Sequence, residues 1–192
     1  MRSIPDVARI ERRLLDLQKK KDRVLELSRD VVRVAGKSIT EMHAGNLREA
    51  GSGMKRITAL VSRLRKIEKG FEYFSVQAHQ EYVEAMAFYI ILKERRLASA
   101  GELRVGEIPY LLGMMDLTGE LKREAIESIR EEDLDAANAY YGFMKGIYDS
   151  TRAMRFANSL VPEFRRKQDT ARIQLETTAG ELLSAVRKRR NV

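Results

Sequence analysis

Cysteine is absent from the 192 residues. That excludes disulfides, thiolate zinc sites and cysteine nucleophiles, and it fits a reducing, cytoplasmic setting. Histidine occurs only twice, at His43 and His79, so any metal site must rest mainly on oxygen ligands. With 3 Pro and 12 Gly, the chain has too few turn formers for a fold of many short strands. Long apolar runs are also missing. The most apolar stretch, Phe74 to Leu92, carries Glu81, Glu84, Gln77, Gln80 and His79, so no membrane span is expected. The start MRSIPDVARIERRL lacks the apolar run of a signal peptide. Neither G-x-S-x-G, a Walker A sequence nor G-x-G-x-x-G occurs, and no His/Cys arrangement is available.

What is present is helix-forming. Hydrophobic residues make up 44% and charged residues 33%, with Ala, Leu, Glu, Arg, Lys and Met prominent. The pattern predicts an all-α chain of six helices in one domain over 1–192. The first runs from about Asp6 to His43, with Ile10, Leu14, Leu17, Val24 and Val31 in a heptad-like stripe interrupted by Lys21 and Ser28. The second, Asn46 to Lys69, has a narrow seam of Met54, Ile57, Val61 and Leu64. The third spans about Tyr73 to Arg96. The loop LASAGELRVG follows, and the fourth helix runs from Glu107 to Arg130 with Pro109 in its first turn. Asp133 or a neighbour caps the fifth, which reaches about Asn158. Pro162 opens the sixth, which ends on Arg187-Lys188-Arg189-Arg190. Long helices with short connections imply an antiparallel bundle. A first helix of nearly 40 residues would be about 55 Å long at roughly 1.5 Å per residue. The bundle is therefore elongated, and its exposed seams are expected to meet other copies of the chain.

Two stretches stand out. Phe74 to Leu92 and Ile108 to Leu121 together hold four acids, Glu81, Glu84, Asp116 and Glu120, and no Lys or Arg. Average composition would place about 6 basic residues there. A buried carboxylate without a partner is costly and tends to take up a proton. Glu81 and Glu84 are spaced i,i+3 and Asp116 and Glu120 i,i+4, so each pair shares one helix face. If the two helices are antiparallel neighbours, four carboxylates converge, with Gly113 leaving room beside Asp116. An oxygen-only cluster of this kind suits Mg²⁺ or Mn²⁺. The competing reading is that the acids are solvated or paired with a remote cation, for which Arg123, Arg152 and Arg155 are available. A di-iron bundle is disfavoured, because it wants Glu-x-x-His on two helices and position 87 is Ala while 123 is Arg. His79, Tyr140, Tyr141 and Phe143 read as packing residues, and His43, near a helix end, is uninformative.

These residues resemble the translin/Trax family. The resemblance is carried by Gln80-Glu81-Tyr82-Val83-Glu84-Ala85, by Pro109-Tyr110-Leu111-Leu112-Gly113 and by Asp116-Leu117-Thr118-Gly119-Glu120-Leu121. Phe143 with Ile147-Tyr148-Asp149, and Arg166-Lys167-x-Asp169, match more loosely. The resemblance implies an all-α bundle assembled into closed, roughly octameric shells that hold single-stranded RNA or DNA on basic interior surfaces. In translin-type chains the position of Asp116 is apolar. Trax-type chains keep all four acids and act as Mg²⁺-dependent endoribonucleases. This sequence keeps all four and is similar to the Trax branch. Its short LASAGELRVG loop suggests a compact prokaryotic-type member, able to form a homo-oligomer without a translin partner.

The expected activity is cleavage of single-stranded RNA. Glu81, Glu84, Asp116 and Glu120 serve as catalytic, metal-holding residues, with one or two Mg²⁺ or Mn²⁺ ions. The net charge of +8 fits a polyanionic partner as well as a solubilising surface. The candidate backbone-neutralising residues are Lys19, Lys20 and Arg23 on the first helix and Arg48, Lys55, Arg56, Arg63 and Lys66 on the second. The alternatives are a non-catalytic, single-stranded nucleic-acid-binding oligomer and a structural scaffold for protein partners.

Overall fold

The computed structural model describes residues 4–190. The first three residues of the start read as free of a signal peptide, and the last two of the single-domain span, lie outside the described residues. Helix α1, Val7–His43, runs unbroken through Gly36. At about 1.5 Å per residue its 37 residues span about 55 Å. Only its second half is packed. Val24, Leu27, Val31, Val34 and Met42 are buried, whereas Val7, Ile10, Leu14 and Leu17 are exposed.

A left-handed Gly45 turns the chain into α2, Leu47–Ile67. Its seam of Met54, Ile57, Val61 and Leu64 is buried as the spacing predicts. A single 3₁₀ turn, Glu72–Phe74, leads to α3, Val76–Glu94. Next come the one-turn helix α4, Ala100–Leu103, and α5, Glu107–Arg130. The chain ends with α6, Leu134–Thr151, and α7, Phe164–Arg190. No strand occurs among the described residues. The all-α expectation holds, and no helix among the described residues is long and apolar enough to cross a membrane.

α1 packs on α2 and α3, α3 packs on α5, and α5 packs on α6 and α7. The two central helices are thus covered on more than one side. This is why α3 and the first half of α5 are apolar nearly all round, and it makes any carboxylate on them conspicuous.

Three expectations change. Among the described residues there are seven α-helices and a 3₁₀ turn rather than six helices, because Ser99 caps a short turn inside LASAGELRVG by accepting from Glu102 N at 3.1 Å. The fifth predicted helix stops at Thr151 instead of Asn158. There the Gln168 side chain donates to the carbonyls of Thr151 (2.7 Å) and Met154 (3.4 Å), satisfying acceptors that a helix end leaves open. The last helix starts at Phe164 rather than Pro162, because Glu163 takes a left-handed conformation (φ 61). Asp133 caps α6 as predicted, accepting from Ala136 N at 2.9 Å.

Candidate active site

The acids meet because α3 and α5 approach unusually closely. A Cβ added to Gly113 would lie 2.6 Å from the Gln80 carbonyl oxygen and 2.8 Å from Val83 Cβ. Only glycine allows that approach. It brings the Glu81/Glu84 face of α3 against the Asp116/Glu120 face of α5. Glu81, Glu84 and Asp116 line one polar cleft of about 440 Å³, to which Arg166, Lys167 and Thr170 of α7 also contribute. Glu120 lies within electrostatic reach of both α3 acids. Gly113 therefore does more than leave room for Asp116: it sets the spacing of the two helices that carry the quartet.

Crowding like charges in a partly dry place changes their chemistry. Glu84 is only 8% exposed. Burial, reinforced by Asp116, Glu81 and Glu120, pushes its carboxyl up to about 9, against a smaller opposing effect of Lys167. Burial and the Asp116 charge also raise Glu81 above the ordinary carboxylate range. A divalent cation with a preference for oxygen would relieve such repulsion, and these carboxylates are the oxygen donors that would hold it.

The arrangement also shows how the acids are satisfied as they stand. Lys167 Nζ donates to Asp116 Oδ1, and Gln80 Nε2 donates to Asp116 Oδ2. The Lys167 side chain is 12% exposed. His43, the last residue of α1, sits between two α5 carboxylates, with Nε2 on Glu120 Oε2 and Nδ1 on Glu124 Oε1 (2.5 Å). Its side chain is 4% exposed. Burial alone would lower the imidazole, but the two carboxylates outweigh it and raise its pKa above the usual value. Among the described residues, no group of three or more acidic or imidazole side chains is arranged to hold a metal ion as it stands.

These partners correct the sequence reading in two places. The acids have no basic neighbour in the local sequence, yet Asp116 has one from 51 positions away, Lys167. Of the three arginines the sequence offered, Arg152 lies against Asp149 at 3.7 Å and Arg155 donates to backbone carbonyls. Arg123 is exposed. His43, set aside as uninformative, is a buried neighbour of the site. His79 behaves as expected of a packing residue, bonded to Glu68 at 2.8 Å. Tyr140 is buried beneath Arg95, with Tyr141 and Phe143 packed against the core, so none of the three forms an open aromatic platform.

None of the eight predicted backbone-neutralising residues lines the acidic cleft. Lys19, Arg48, Lys55, Arg56, Arg63 and Lys66 are exposed along α1 and α2. Lys20 donates to the Lys69 carbonyl and lies over the Phe71 ring, and Arg23 is paired with Glu26. The basic groups at the cleft are instead Arg166 and Lys167. In the sequence these two are marked only by the loosely matching Arg166-Lys167-x-Asp169.

Comparison with known proteins agrees with this architecture. An uncharacterized protein of Methanocaldococcus jannaschii is 28% identical over 170 residues, covering 86% of this chain and 76% of that one. Translin-associated protein X of Pongo abelii is 32% identical over a stretch covering 36% of this chain and 35% of its own length, so the match spans about a third of that longer protein. Among solved structures, the complex of AfC3PO with duplex RNA superposes with a TM-score of 0.85 at 28% identity, covering 97% of this chain and 99% of that one. Apo-NeC3PO reaches 0.87 at 22% identity, over 96% of this chain and 100% of that one, which speaks for the fold alone. The Translin family model matches residues 9–178, and with that coverage the chain belongs to the Translin family.

Proposed function

We propose that this chain is a metal-dependent endoribonuclease, acting on single-stranded RNA as a homo-oligomer. The observation that carries the reading is the convergence of Glu81, Glu84, Asp116 and Glu120 across the α3–α5 contact, with Glu84 held near 9. Held by these four, Mg²⁺ or Mn²⁺ would polarise a phosphate oxygen and lower the pKa of a bound water. Glu84 must give up its proton to join such a set, so loading favours higher pH. Gln80 orients Asp116 from the α3 side. Lys167, already in the cleft, places a cation where the scissile phosphate brings negative charge, and Arg166 stands beside it at the exposed rim. The exposed bases of α1 and α2 neutralise backbone phosphates without reading sequence. RNA as the polyanion is supported by the AfC3PO relative, whose complex contains duplex RNA. Assembly is supported by the unpacked stripe Ile10, Leu14 and Leu17, which a second copy would cover, and a closed octameric shell is the form the family resemblance suggests.

A second reading has its own observation. Lys167 on Asp116 and His43 on Glu120 satisfy two of the acids without any ion, as a non-catalytic RNA-binding oligomer would require. The two readings separate when labelled single-stranded and duplex RNA are incubated with Mg²⁺ or Mn²⁺ and wild type, Glu81→Ala or Asp116→Ala. The nuclease reading expects cleavage by wild type alone. Equal cleavage by all three removes the acids from the chemistry. Salt-sensitive binding without cleavage establishes the binding oligomer instead.

A further inference from the structure

We infer that His43 is a positioning residue, fixing Glu120 for metal binding through a Glu124–His43–Glu120 bridge. This rests on the metal-site reading above.

The ring is unusually well held. His43 ends α1, 77 positions before Glu120, yet its side chain is 4% exposed and lies 5.0 Å from the Phe88 ring of α3, tilted by 43°. Three helices therefore set its orientation. Both ring nitrogens are engaged by carboxylates spaced i,i+4 on one face of α5. The two nitrogens of an imidazole point in divergent directions. Glu120 and Glu124 therefore lie on opposite sides of the ring, and one ion cannot take Glu124, His43 and Glu120 together. The geometry is that of an outer partner that orients a ligand, not of a three-ligand site. The ring takes only Oε2 of Glu120, leaving Oε1 as the oxygen that can serve an ion. Glu120 is among the charges that act on Glu81 and Glu84, whereas Glu124 is not, so the role of Glu124 is to anchor the ring from behind.

An unrestrained glutamate has three side-chain torsions to fix, and ordering them opposes binding by an ion. Removing an outer partner of this kind weakens metal affinity by about 10- to 100-fold. The test is Mn²⁺ binding to the full chain, by calorimetry and electron paramagnetic resonance, for wild type, His43→Ala, His43→Gln, His43→Asn and Glu81→Ala. The Gln amide nitrogen lies near the Nε2 position and can still donate to Glu120; the Asn amide lies near Nδ1 and cannot. We expect His43→Ala and His43→Asn to weaken binding about 10- to 100-fold, with His43→Gln within about threefold of wild type. If His43→Ala fails to fold, the Gln and Asn variants carry the comparison. Equal affinities for these two variants overturn the inference. So does a directly bound nitrogen in the Mn²⁺ spectrum, which would make His43 a ligand. Loss of binding in Glu81→Ala but not in His43→Asn removes the positioning role and leaves the metal site standing. Undiminished binding in Glu81→Ala, or none in wild type, removes both.

Discussion

Replacing Glu84 by glutamine should stabilise the metal-free protein, and increasingly so as pH rises. Glu84 has a folded-state pKa of about 9 against an ordinary value of 4.5. Between those values the folded protein holds a proton that the unfolded chain releases, so stability is highest at low pH and is lost as pH rises toward 9. Each pH unit in that window corresponds to about 1.36 kcal/mol for a rigid site. From pH 6 to pH 8 the ceiling is therefore about 2.7 kcal/mol. Rearrangement of the neighbouring side chains and entry of water reduce it, and about 1–2 kcal/mol is expected. For a domain of this size that is a change of about 3–6 °C in Tm. Glu81 and His43 are raised as well, and each loses its contribution in the same direction as pH climbs. The informative quantity is thus the difference between wild type and Glu84→Gln. The assay is thermal and urea denaturation in EDTA at pH 6, 7 and 8. The gap between the two proteins should widen with pH. Adding Mn²⁺ should stabilise wild type, more at pH 8 than at pH 6, and leave Glu84→Gln nearly unmoved. A gap that stays constant across pH would show that Glu84 is not held protonated, and the reasoning fails.

Other outcomes follow from the same structure. Gly113→Ala places a methyl group 2.6 Å from the Gln80 carbonyl, where backbone must shift. It should cost about 1–3 kcal/mol in denaturant melts and weaken Mn²⁺ binding by separating the acid pairs. Lys55→Ala and Arg56→Ala, both exposed on α2, should each lower the slope of log K against log salt for single-stranded RNA by about 0.7. An unchanged slope would move the RNA off this face. The double change Leu14→Glu and Leu17→Glu, in the unpacked half of α1, should reduce the mass seen by light scattering while leaving helix content intact. Retention of the wild-type mass would place the contact between copies elsewhere.

The local sequence determined most of the helices and the grouping of the acids. Three- and four-residue spacing is a property of neighbouring positions. The seam Met54, Ile57, Val61 and Leu64, and the placement of each carboxylate pair on one helix face, were therefore legible without a structure. The apolar surroundings of Glu81, Glu84, Asp116 and Glu120 were legible for the same reason, since a helix covered on several sides shows no polar face. Helix ends were less so. α6 stops at Thr151, whose carbonyl accepts from the Gln168 side chain of a different helix, and no local preference encodes that pairing. The partners of the acids were hidden altogether. Lys167 comes to Asp116 from 51 positions away and His43 to Glu120 from 77. Such pairings arise when helices dock side by side, and no periodicity in the chain records which faces will meet. The sequence by itself thus determined which carboxylates share a face. Only the tertiary structure, through the glycine that lets α3 and α5 close on each other, decided that the two faces meet and which lysine and which histidine stand beside them.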